Sequence, residues 1–349
     1  MAENKGRRII LAKRPEGMPT EQHLQLESMD IPSPDKGQML LRTIYLSLDP
    51  YMRGRMSSAR SYVPPVAVGA PMEGGTVGEV LESRLADYQP GDIVSAYTGW
   101  QTHALSDGTM VRKIDPAQAP ITTHLGVMGM PGFTAYVGLL ELGRPASGET
   151  IVVSAASGAV GQVVGQIAAI KGCRVVGIAG TDAKCAFIKE ELGFDAAVKH
   201  RAEDFPEALA KACPDGIDVY FENVGGRVLS AVLPNLNDFS RMPVCGLIAH
   251  YNDTALPAGP DQLPAFMGVV LTRRVNVHGF INFDYVHLMP DFLKEMSEWI
   301  REGKVVYKED MVDSLENAVS AFQGLLEGRN FGKLIIRVGE DPTQGRTNI

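Results

Sequence analysis

The sequence predicts an α/β protein: a doubly wound parallel sheet joined to a smaller β-barrel-like domain. Three observations carry this. From Glu149 onward, short apolar runs alternate with helical stretches at the spacing of strand–helix–strand units, which close as right-handed crossovers. Before about residue 132 the chain is rich in Pro, Gly and brief apolar runs, the texture of irregular β-structure. A length of 349 residues suits two domains.

In the first part, Gln38–Tyr45 reads as a strand, 74–81 as a glycine-weakened strand, and Tyr88–Ser95 as a turn into another. In the second, Thr150–Ser154 is a short buried strand, and 159–171 is a helix closed by Gly172. Cys173–Ile178 is the next strand, and about 182–192 is a helix closed by Gly193. Asp195–Val198 and Asp218–Glu222 are strands around a helix at 203–213; Pro243–Ile248 and Val275–Phe280 are two more strands, and a helix over 286–302 closes the block. The tail from Tyr307 holds an amphipathic helix, 313–327, and a final strand, Lys333–Val338. It is expected to return to the first domain, giving domains 1–132 with 307–349, and 133–306.

Composition narrows the partners. A net charge of −8 without a basic stripe argues against nucleic acid or an anionic membrane. The cysteines, Cys173, Cys185, Cys213 and Cys245, form no C-x-x-C, so neither a zinc ribbon nor a redox dithiol is written; the reducing cytoplasm is the expected compartment. The N-terminus has charges before any apolar run, unlike a signal peptide. The uncharged stretch Ile151–Ile170 is too rich in Gly, Ser and Gln for a membrane span and splits better into strand and helix.

The turn after the first strand of the alternating block reads Ala155-Ala156-Ser157-Gly158-Ala159-Val160-Gly161. Set against G-x-G-x-x-G, Ala156 replaces the first glycine, while Gly158 and Gly161 hold the other two places. Gly158 leaves the backbone open to a pyrophosphate, Gly161 lets helix and strand pack closely, and the helix N-terminus offers N–H groups to the anion. A tight turn with no ligand is the plain alternative. An NAD site usually sets Asp or Glu at the end of the second strand. That end reads Gly177-Ile-Ala-Gly180-Thr181, with Asp182 one step later as an expected helix cap. Lys184 in the first helical turn is unfavourable beside a helix dipole unless it meets a phosphate. The cofactor is therefore expected to be NADP(H), with Lys184 on its 2′-phosphate; a solvated surface lysine is the alternative. A catalytic zinc needs three protein ligands, yet the first domain has no cysteine, and His23, His103 and His124 are scattered. No metal site is expected.

Several segments recur together: Leu46–Met56 (LSLDPYMRGRM), the 155–161 turn, Glu222-Asn223-Val-Gly-Gly226, Tyr251-Asn252 and Gly328–Lys333 (GRNFGK). They resemble the zinc-free medium-chain dehydrogenases/reductases, in the branch of leukotriene/prostaglandin reductases and alkenal double-bond reductases, nearest to the bacterial NADPH-dependent curcumin reductases. The resemblance covers nearly the whole chain. It implies a GroES-like catalytic domain, a Rossmann domain, a homodimer, and NADPH-dependent reduction of the C=C bond of small unsaturated ketones and aldehydes. It also implies that Lys184 meets the 2′-phosphate, Asn223 the nicotinamide side, and Asn330 the cofactor from the tail; Gly180, at the tip of the second strand, is a further expected cofactor contact. His200 stands where mammalian members have a tyrosine near the phosphate; it is either a phosphate contact or a surface histidine.

Reduction of an enone builds charge on the carbonyl oxygen, which needs a nearby donor. Tyr51 and Tyr251 are the family-matched candidates, Tyr251 just past a strand's carboxyl end, and each has a packing role as alternative. Tyr62 is a weaker candidate for the substrate wall. Arg53 and Arg55 are expected in ion pairs with Asp49 or the tail, Met52, Met128 and Met130 either line the expected cleft or fill core, and Tyr251–Pro264 reads as a lid. Two other functions stand beside this one: a quinone reductase of the same fold, and an NADPH-binding protein without catalysis.

Overall fold

The computed structural model describes residues 5–256 and 259–344. Pro257 and Ala258, in the expected lid, lie outside them. The described residues divide into two units, one of residues 5–126, 309–330 and 334–344, the other of 127–256, 259–308 and 331–333.

The first unit opens with β1 (Lys5–Leu11) and β2 (Leu24–Asp30), an antiparallel pair. Then come β3 (Met39–Ser47), the single helical turn α1 (Met52–Arg55), β4 (Thr76–Ser83), β5 (Ile93–Ala96), β6 (His103–Ser106) and β7 (Arg112–Lys113). β3 is the spine, pairing antiparallel with β4 and β6, and β4 continues to β5. One core gathers Ile9, Leu11, Leu46, Met52, Trp100 and Phe322, so Met52 is core filling.

In the second unit, α2 (Met130–Val137) leads into a wider helical turn, Gly138–Gly143. The chain then runs through β8 (Thr150–Val153), α3 (Gly161–Ile170), β9 (Arg174–Ala179), α4 (Asp182–Glu190), β10 (Ala196–Lys199) and α5 (Phe205–Ala212). It continues with β11 (Ile217–Phe221), α6 (Gly226–Val232), β12 (Leu236–Val244), α7 (Leu263–Arg273), β13 (Asn276–Gly279) and α8 (Met289–Arg301). The six strands form one parallel sheet, ordered β10-β9-β8-β11-β12-β13. Alternate residues of one strand feed opposite cores: Ile151 and Val153 pack with Val163 and Ile167, whereas Val152 packs with Val176 and Tyr220. A sheet covered on both faces explains the continuous apolar runs. Strand order reverses between β8 and β11, the switch point at whose carboxyl ends doubly wound sheets bind ligands. This is the Rossmann-type arrangement, and the first unit is of the GroES-like type.

The tail is β14 (Glu309–Asp313), α9 (Ala318–Leu326) and β15 (Lys333–Arg337). β15 pairs with β3 and joins the first unit's sheet. The helix expected from 313 begins later because Ser314 takes a left-handed φ of 73° and its N–H is bound by the Arg337 carbonyl. The strand expected over Pro243–Ile248 is instead the end of β12: the Cys245 and Gly246 amides both turn to the Glu222 carbonyl, drawing the chain off the sheet. Among the described residues no helix is long and apolar enough to cross a membrane.

Candidate functional site

The phosphate turn is built by fully buried β8. Beyond it Ala155 adopts a left-handed φ of 48°, a strained conformation for a residue with a Cβ. The Gly158 amide closes onto the Ala155 carbonyl at 2.9 Å, and the Ala156 amide reaches back to Ile178 of β9 at 3.0 Å. Ala156 fits where a glycine is usual because β9 presents Gly177 opposite it; a Cβ on Gly177 would lie 2.9 Å from that of Ala156. Gly161 is obligatory, since a Cβ there would meet the Ala155 carbonyl oxygen at 2.4 Å. Ser157 is buried, and Ala159 and Val160 carry the chain into α3. Gly158 also bridges in parallel to Gly332. A cradle this bare fits a pyrophosphate.

At the tip of β9, Gly180 faces basic groups: a Cβ there would lie 3.3 Å from His200 Nε2 and 3.6 Å from Arg201 Nε. Burial lowers the His200 pKa, and Arg201, Arg227 and Lys184 lower it further, so four basic side chains share this neighbourhood. Asp182 does not cap α4; Thr181 does, its Oγ1 accepting from the Lys184 amide at 3.3 Å, while Asp182 pairs with Lys199 at 2.8 Å. A threonine cap leaves this helix start without a carboxylate directed at its amides.

Asn223 follows β11 at the switch point. Its amide donates to Ser154 Oγ at 2.7 Å, and its Nδ2 to the Ser154 carbonyl at 2.8 Å. Beneath it Glu222, 1% exposed, gathers four donors on Oε1: Ser154 Oγ, Tyr220 Oη, and the Val224 and Gly225 amides. Burial still raises its pKa. This network joins the ends of β8 and β11; the sequence shows the Glu222–Gly226 motif but not the hub. Tyr251 follows a helical turn, Ile248–His250, and its hydroxyl folds back to accept the Leu247 amide at 3.3 Å. Asn330 lies in the connection after α9.

In the first unit Tyr51 precedes α1, and its hydroxyl lies 2.7 Å from that of Tyr97. Burial, then Asp49, Tyr97 and Tyr62, push Tyr51 well above the usual phenol range. Burial likewise lifts Tyr97 to about 12. Both remain neutral donors at physiological pH. Tyr62 is exposed. Sequence reading missed Tyr97: it pairs across 46 positions, and only its place at the end of a strand hinted at it. Arg53 donates to the Gly17 carbonyl at 2.8 Å, and Arg55 pairs with Glu73 at 2.5 Å, in place of the expected Asp49 or tail partner for Arg55. Met128 packs in the second unit's core.

The first unit's histidines do not fit a zinc ion. His23 is hydrogen-bonded to Thr20 and His103 to Thr102, while His124 lies 3.2 Å from an Arg112 nitrogen. Among the described residues no group of three His, Cys, Asp or Glu is placed to hold a metal.

The parallel sheet, its bare glycine turn and the basic cluster define a nucleotide-binding protein of the Rossmann type. Residues 7–114 match a family model described as the N-terminal domain of oxidoreductase, and residues 159–300 one described as zinc-binding dehydrogenase. The chain is 54% identical over 341 residues to the NADPH-dependent curcumin reductase of Escherichia coli (strain K12), covering 97% of this chain and 99% of that protein. It is 41% identical over 348 residues to the NADP(+)-dependent 2-alkenal reductase of Nicotiana tabacum, covering 98% and 100%. A crystal structure of CurA in complex with NADPH from Vibrio vulnificus matches with TM-score 0.92 and 52% identity, over 96% of this chain and 100% of that one. The chain belongs to the medium-chain dehydrogenase/reductase family, in its zinc-free branch of prostaglandin and alkenal double-bond reductases.

Proposed function

We propose that this protein reduces the C=C bond of α,β-unsaturated ketones and aldehydes with NADPH. The observation that carries the reading is similarity along almost the full chain to reductases named for NADPH and for curcumin or alkenals. In the same reading, the second unit is the NADP-binding domain and the first the catalytic domain.

NADPH, when bound, supplies hydride to the β-carbon. The turn 156–161 would hold its pyrophosphate, Gly180, Lys184 and His200 its adenosine phosphate, and Asn223 and Asn330 the remainder. Asn223 suits an orienting role because Ser154 fixes both its backbone and its side chain. As the π electrons move toward the carbonyl oxygen, a neutral phenol donates to that oxygen; Tyr51 and Tyr251 are the residues assigned to this, and Tyr62 to the substrate wall. A curcumin-like or prostaglandin-like substrate is the finer expectation.

The protein is proposed to act as a homodimer in the cytoplasm. α7 exposes Leu263, Met267 and Leu271, and β13 ends its sheet, the kind of apolar edge a second copy covers. The four cysteines are all free thiols, in keeping with a reducing compartment.

The deciding experiment is NADPH oxidation against alkenals, alkenones and diarylheptanoids, with product analysis. The saturated carbonyl supports the reading. The allylic alcohol, or turnover of simple quinones alone, overturns it.

A further inference from the structure

We infer that Tyr97 is a positioning residue for this reduction: its hydroxyl, 2.7 Å from that of Tyr51, turns the Tyr51 O–H toward the substrate carbonyl oxygen. The inference rests on the reading that Tyr51 donates to that oxygen.

Two phenols at this distance share one hydrogen bond, in which one gives and the other accepts. If Tyr51 gives its hydrogen to Tyr97, it has none for a substrate. If Tyr97 gives, the Tyr51 hydrogen is directed elsewhere, and its oxygen already accepts a bond that stabilises negative charge as the hydrogen is drawn toward the carbonyl. A substrate oxygen beside Tyr51 therefore selects the second arrangement. No proton leaves Tyr97 in this role; it acts only by donating a hydrogen bond.

The surroundings suit a neutral donor. Burial comes first among the causes that hold Tyr97 protonated; the hydrogen bond with Tyr51 comes next and opposes it, Glu73 and Asp49 add to it, and Arg55 opposes. The Asp49 carboxylate is engaged by the Ser47 hydroxyl. Tyr97 belongs to none of the first unit's core clusters, and the residue is 39% exposed just past β5, so its ring is not core filling.

The test is a double-mutant cycle of Tyr51→Phe and Tyr97→Phe, with benzylideneacetone saturating and NADPH varied so that kcat and the NADPH KM are both read. Tyr97→Phe is expected to lower kcat about 3- to 10-fold, the range for one neutral hydrogen bond, and to leave the NADPH KM unchanged. In the Tyr51→Phe background, Tyr97→Phe is expected to have no further effect. The ring is retained, so the unfolding midpoint stays at the wild-type value. An equal kcat loss in both backgrounds overturns the inference, because Tyr97 then acts without Tyr51. Wild-type kcat in Tyr97→Phe, beside a lowered kcat in Tyr51→Phe, overturns the inference alone. Wild-type kcat in Tyr51→Phe removes the Tyr51 assignment itself.

Discussion

His200 packs edge-on against the ring of Phe205, with centroids 6.5 Å apart and planes at 77°. The guanidinium of Arg227 lies 5.9 Å from the centroid of the same ring, and its Nη2 donates to the Ala202 carbonyl at 2.8 Å. One aromatic side chain thus steadies two basic groups at the tip of β9. Burial and the neighbouring cations keep the His200 pKa below 6.5, so its imidazole is neutral at pH 7. A phosphate dianion among those cations reverses the local field and raises that pKa. Binding therefore takes up a proton. NADPH affinity is expected to rise as pH falls from the raised value of the complex to the lowered value of the free protein, and to level off below it. NADH, without the phosphate, shows no such rise. Calorimetry in two buffers of different ionisation enthalpy reads the uptake directly, and His200→Gln abolishes it. Equal uptake with NADH would place His200 away from the phosphate.

Lys184 gives the selectivity test. Its backbone amide is held by Thr181, which fixes the residue in the first turn of α4. Lys184→Ala is expected to weaken NADPH about 10- to 150-fold, from a charge-assisted contact of about 1.5–3 kcal/mol, and to leave NADH binding nearly unchanged. Fluorescence titration with both dinucleotides decides it; parallel losses for the two would make Lys184 a structural residue.

The middle of the sheet was legible in the sequence because β8, β9 and β11 are buried on both faces, and the glycine turn because close approach of backbone to backbone permits so few residues. α7 was not, since Leu263, Met267 and Leu271 face outward while only Val269 and Val270 pack against a core, so its apolar residues mark no single buried face. α6 starts on Gly225 and Gly226, both at positive φ, where sequence suggests a loop. In the site, local motifs named Lys184 and Asn223. Partnerships made across the fold, such as Tyr51 with Tyr97 or Ser154 with Glu222, have no local signature.

Glu222 is expected to couple cofactor binding to stability. Glu222→Ala strips an acceptor from four donors and is expected to cost about 2–4 kcal/mol by chemical denaturation, and to raise the NADPH KM as Ser154 and Asn223 loosen. The pH behaviour has a definite sign. Burial lifts the folded-state pKa above 4.5, so the folded chain holds the proton more tightly than the unfolded one. That contribution is complete below the unfolded value and is lost as pH rises through the folded value. Wild-type stability measured against Glu222→Gln is therefore expected to fall as pH rises through that window. A difference independent of pH would mean that the carboxyl stays in one ionisation state.

The exposed face of α7 tests the dimer. Leu271 is 76% exposed and Met267 52%, four residues apart on a helix and so on one side of it. β13 lies at the end of the six-stranded sheet, where Val277 is also exposed. An apolar surface this open is costly in water unless another chain covers it, and an edge strand is a ready template for the same strand of a second copy. Leu271→Glu combined with Met267→Lys puts charge on that face without touching a buried residue. In sedimentation velocity the double variant is expected to move from dimer to monomer while keeping its far-ultraviolet circular dichroism and its NADPH binding. If the wild-type protein sediments as a monomer at micromolar concentration, this face is not a dimer interface; if the variant remains dimeric, the copies meet elsewhere.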